Sequence, residues 1–110
     1  PACAETLVIS YGPITLEALR VAEFRGFDMI NIAKLRPLPR RLIDVARQYE
    51  HIVVVEEAAG APLARQLGMM ELGARIESFA LPDEFPHIYG TRDELLARAG
   101  LTAEAILARL

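Results

Sequence analysis

HIVVVEE, residues 51–57, is the stretch on which the fold turns. Ile52, Val53, Val54 and Val55 are consecutive, apolar and β-branched, and suit a pleated strand. A strand with one wet face alternates polar and apolar side chains. An unbroken apolar run instead suits a strand covered on both faces, the usual condition in a parallel sheet. The run therefore reads as the central strand of an α/β domain, with Glu56 and Glu57 at its carboxyl end.

Working outward, similar runs occur at 7–11 (LVISY), 29–35 (MINIAKL) and 75–81 (RIESFAL), with helical spacing between them. Leu16, Leu19 and Phe24 mark one face of a first helix, with Thr15 as its cap and Gly26 as its stop. Leu42, Val45, Ala46 and Tyr49 repeat at i, i+3, i+4, i+7 after Pro39. Pro62 opens a third helix through Leu63, Leu67 and Met70. Residues 83–89 read as an irregular loop. Thr91 and Glu94 then form a capping box for a helix that stops at Gly100, and Thr102 caps a last helix to Leu110. Short connections between alternating strands and helices predict parallel strands joined by right-handed crossovers. The expectation is a single domain over 1–110: a three-layer α/β/α open sheet, with ligands expected beyond the carboxyl ends of the strands.

Bulk properties narrow the function. With 110 residues the chain can bury a core without metal or disulfide. Its net charge of −3 argues against a nucleic-acid face. Arg36, Arg40 and Arg41 cluster, but prolines interleave them and no aromatic side chain lies among them for stacking, so they read as a solvated loop and helix start. Cys3 is the only cysteine, which fits a reducing cytoplasm. No apolar run is long enough to cross a bilayer as a helix, and no membrane association is expected. The start at Pro1 rather than Met suggests a fragment or a processed chain.

The candidate chemistry is thin. Glu56 and Glu57 would make an acid/base or cation site if they converged, but adjacent strand residues point to opposite faces, so a structural or domain-contact role is expected. His51 stands at the strand entry, away from the ligand end, and reads as structural. His87 lies in the loop before Thr91, with no second histidine or cysteine at metal-ligand spacing. Ser10 lacks the G-x-S-x-G turn that exposes a nucleophile. Gly60-Ala61-Pro62 precedes a helix whose amides suit an anion, but without a supporting lysine it reads as a plain helix start. No phosphate-cradle motif occurs.

Seven segments in order carry a resemblance: LVISYG (7–12), LEALRVAE (16–23), IAKLRPLP (32–39) followed by Leu42-Ile43, HIVVVEE (51–57), LPDEF (81–85), GTRDELL (90–96) and GLTAEAI (100–106). Together they resemble the C-terminal domain of the transketolase group, and the tail is most similar to the 1-deoxy-D-xylulose-5-phosphate synthases. The resemblance implies four parallel strands in the order 2-1-3-4. It also implies a homodimeric enzyme whose thiamine diphosphate and magnesium lie between two upstream domains, the present part serving packing and subunit assembly. The cofactor's Gly-Asp-Gly motif has no counterpart here, and the isolated chain is expected to be inactive. No catalytic, cofactor-binding or metal residue is carried over. Where the family has a Gly-Gly-Phe-Gly-Ser segment this chain has Ala58-Ala59-Gly60-Ala61, and the family's His-Gly appears as Tyr89-Gly90. The family also places an antiparallel strand beside strand two. Residues 1–6 are too few to supply it, so that edge is expected to be open and to pair with a second copy. Two alternatives remain: the end of a 2-oxoacid dehydrogenase β subunit, and a free-standing binding module.

Overall fold

A computed structural model describes residues 5–33, 35, 38–81 and 91–110. Within them the elements run β1 (Thr6–Ser10), α1 (Thr15–Arg25), β2 (Asp28–Asn31), α2 (Arg40–Ala46), β3 (His51–Val55), α3 (Pro62–Gly68), β4 (Arg75–Phe79), α4 (Arg92–Ala99) and α5 (Ala103–Arg109). The strands form one sheet in the order β2-β1-β3-β4. All three pairings are parallel, with Val8 beside Met29 on one side and Val53 on the other, and Val53 beside Glu77.

Strand pleating sorts the core into two layers. Val8, Val53, Val55 and Phe79 face one way and pack with Ile14, Val21, Leu96 and Ile106 from the α1, α4 and α5 side. Leu7, Ile9, Ile52 and Val54 face the other way, against Leu42 and Leu63 of α2 and α3. Ile52 to Val55 have no accessible surface at all, as the unbroken run predicts. Each such side chain contributes about 1.5–3 kcal/mol through burial. The layers also follow from crossover hand. The step from β1 to β2 moves one way along the sheet and the steps through α2 and α3 move the other, so one hand requires α1 on the face opposite α2 and α3.

Five local expectations need correction. Strand two ends at Asn31 rather than Leu35, although Ile32 N–H still donates to Ser10 O at 3.0 Å. The first strand stops at Ser10 and the fourth at Phe79. Thr15 is not the cap of α1 but its first helical residue; Ile14 holds the cap position without a side-chain bond, and the Thr15 hydroxyl donates to Asn31 Oδ1. Leu16, Leu19 and Phe24 do not face the core, which receives Ala18, Val21 and Ala22 instead. The capping signals of the tail hold: Thr91 and Glu94 close a reciprocal box, and Thr102 accepts from Ala105 N–H. Gly26 and Gly100 end their helices at φ near +70°, where an L side chain is strained.

Candidate functional site

In an open parallel sheet the ligand crevice opens where the direction of strand order reverses. Here that point lies between the carboxyl ends of β1 and β3, at Tyr11 and Glu56. The chain fills this position itself. Glu56 is fully buried on the α2/α3 side of the sheet. Its Oε1 accepts from the Leu63 amide at 3.0 Å and from the Tyr11 hydroxyl at 2.7 Å, and its Oε2 accepts from the Ala64 amide at 3.0 Å. Leu63 and Ala64 belong to the first turn of α3, whose amides have no partners within the helix. The carboxylate therefore sits where an external anion would otherwise meet this helix start. Burial, then the bond to Glu56 and its negative charge, hold the Tyr11 phenol well above its ordinary pKa.

The backbone is shaped for this arrangement. Gly60 turns at φ +83° and Ala61 at φ +53°, and Pro62 opens the helix. No Ser, Thr, Asp or Asn stands at the cap position. The sequence shows only that Ala61 offers no side-chain cap to the helix opening at Pro62, six residues after Glu56; that Glu56 is buried and reaches this helix start is visible in the fold alone.

Glu57 goes the other way, as pleating requires. Its carboxylate takes two bonds from Arg92 at the start of α4, at 2.9 and 3.0 Å, and this pairing raises the Arg92 guanidinium pKa further. The two glutamates thus tie β3 to opposite layers and share no site. His51 is structural: Nδ1 lies 3.2 Å from Thr6 Oγ1 and Nε2 2.7 Å from Glu77 Oε1, linking β1, β3 and β4 at the amino end of the sheet. Ser10 is buried, and its hydroxyl donates to Val55 O at 2.8 Å. Arg40 and Arg41 are exposed at the start of α2. Cys3, Arg36, His87, and the segments 83–89 and Tyr89-Gly90 lie outside the described residues.

Among the described residues no three His, Cys, Asp or Glu side chains are grouped to hold a metal ion. A hollow of about 390 Å³ at the first turns of α1, α4 and α5 mixes Arg20 and Arg92 with Glu17, Asp93 and Glu104. Three of its five charges are already engaged: Glu17 accepts from Ala103 N–H and Arg20, and Arg92 is held by Glu57. These residues do not fit thiamine diphosphate or its magnesium.

The family model for the transketolase C-terminal domain matches residues 3–106. The chain belongs to this family. It is 31% identical over 107 residues to the 1-deoxy-D-xylulose-5-phosphate synthase of Thioalkalivibrio sulfidiphilus and 35% identical over 107 residues to that of Methylococcus capsulatus. Each match covers 92% of this chain and 17% of the relative, so the chain spans about one sixth of those enzymes' length and is a domain. A solved structure described as a split-gene transketolase, in an inactive β4 tetramer, superposes with a TM-score of 0.74 at 26% identity. That match covers 94% of this chain and 37% of the other. No described helix is long and apolar enough to cross a membrane.

Proposed function

We propose that this transketolase C-terminal domain is the assembly domain of a thiamine-diphosphate-dependent transferase of the 1-deoxy-D-xylulose-5-phosphate synthase kind, a cytoplasmic homodimer whose cofactor and magnesium lie in other domains. The observation that carries the non-catalytic part is the Glu56 carboxylate, which occupies the start of α3 beside the point where strand order reverses. The synthase assignment draws its support from the names of the relatives. When bound, the cofactor supplies the electron sink for two-carbon transfer. This chain supplies a sheet covered by helices on both faces, and the outer surface of those helix layers packs against the domains that hold the cofactor.

Calorimetric titration of thiamine diphosphate with magnesium into the isolated chain tests the reading, and no heat of binding is expected. Micromolar binding by this chain alone overturns it. The coding sequence upstream of Pro1 separates the remaining arrangements. A continuous frame with a Gly-Asp-Gly motif supports one long enzyme. A nearby start codon supports a separate subunit, the arrangement that the split-gene structural neighbour's description names for that protein.

A further inference from the structure

Helix α1 is built inside out. Its core-facing residues, Ala18, Val21 and Ala22, are small, whereas Leu16, Leu19 and Phe24 point outward with 57%, 40% and 76% of their surface exposed. A helix with one packed face and one solvated face places its large apolar side chains inward and polar ones outward. Of the four large apolar side chains most exposed among the described residues, three lie on this helix, the fourth being Met69. At about 3.6 residues per turn, Leu16, Arg20 and Glu23 form the ridge opposite the core, with Leu19 and Phe24 on its flanks. The outer surface is thus apolar with one charge of each sign, a composition closer to an interface than to a solvated face.

We infer that the outer face of α1 is the surface on which the remaining part of the transketolase-type enzyme packs. This inference rests on the assembly reading above and adds the location. Two observations favour that occupant. The curated relatives are about six times longer than this chain, so most of the mass that this domain accompanies lies outside it. Moreover, α1 runs antiparallel to the strands, so Phe24 in its last turn lies at the same end of the sheet as the start of β1 at Thr6. Polypeptide leading into β1 arrives at that end.

The test is thiol labelling of Leu19→Cys and Phe24→Cys, each in a Cys3→Ser background, in the chain alone and in the assembled enzyme. Both side chains are exposed, so the variants should melt at the parental temperature; if one fails to fold, the other gives the same readout. Roughly tenfold slower labelling in the assembled enzyme than in the chain alone is expected at both positions, because interface cores pack as tightly as protein interiors. Unchanged labelling at both overturns the inference. Hydrogen exchange on the same samples then separates the causes. Protection on another face of this domain removes only the α1 location, and no protection on any face removes the assembly reading too. Labelling that slows with concentration in the chain alone means that a second copy covers α1, which also overturns the inference.

Discussion

Glu56 is a charged group with no accessible surface, whose partners are two backbone amides and one phenol rather than a cation. Three donors make the buried charge tolerable, and the same geometry makes it hard to replace. In Glu56→Gln the shape survives, but the charge is lost and an amide N–H₂ confronts a backbone donor. The expected cost is about 2–4 kcal/mol of unfolding free energy, read in urea denaturation. A loss below about 0.5 kcal/mol contradicts the account. The partner glutamate provides the contrast: Glu57→Gln, at an exposed pair, should cost no more than about 1 kcal/mol. The divergence of Glu56 and Glu57 was legible from strand pleating alone. The capture of α3 by Glu56 was not, because it depends on the αL turn at Ala61 folding the helix start back under the strand end.

At the scale of elements, the central strand and the tail helices were legible because their signals are local: an unbroken β-branched run, a capping box, a glycine stop. Helix α1 was legible as a helix but not in its orientation. Periodicity reports that apolar residues share a face and is silent on whether that face meets the sheet. Close approach to the sheet favoured the small set of Ala18, Val21 and Ala22. The edge strand β2 is the other case. Its outer side is unpaired among the described strands, and beside it runs an apolar groove of about 290 Å³ lined by Ile30, Ile32, Leu42 and Val45. Yet the strand has only four residues and carries Asp28 at one end, features that blunt an edge. Antiparallel pairing of two copies should therefore be weak. Sedimentation of the isolated chain is expected to show monomer at micromolar concentration and a dimer only towards the millimolar range, with the dimer lost in Ile30→Lys. A chain that stays monomeric throughout contradicts edge pairing.

For the whole molecule, alkaline pH probes the contact that ties the loop before β3 to the edge strand. The Tyr49 hydroxyl donates to Asp28 Oδ2. Burial first, then that bond and the charge of Asp28, push the phenol up to about 12 from an ordinary value of 10. The folded state thus holds the proton more tightly than the unfolded one. This contribution is complete below pH 10 and is lost as pH rises through about 12. Denaturation free energy should fall across that window, and Tyr49→Phe should flatten the fall. Tyr11, shifted in the same direction by burial and Glu56, works with the same sign. A stability profile in Tyr49→Phe that matches the parent contradicts the assignment.

What the sequence by itself determined is the class of object: alternating strands and helices, a parallel sheet with His51–Val55 at its centre, and glutamates that cannot meet because successive strand residues point apart. These follow from short-range sterics and periodicity, which act wherever the chain lies. Only the tertiary structure decided which face of α1 is turned outward and which anion meets α3. The first depends on how closely α1 approaches the sheet and the second on a left-handed turn at Ala61 that folds the chain back on itself, and neither is encoded in residue periodicity. A helix start can bind whatever carboxylate or phosphate reaches it first; in this fold a side chain from the neighbouring strand already does.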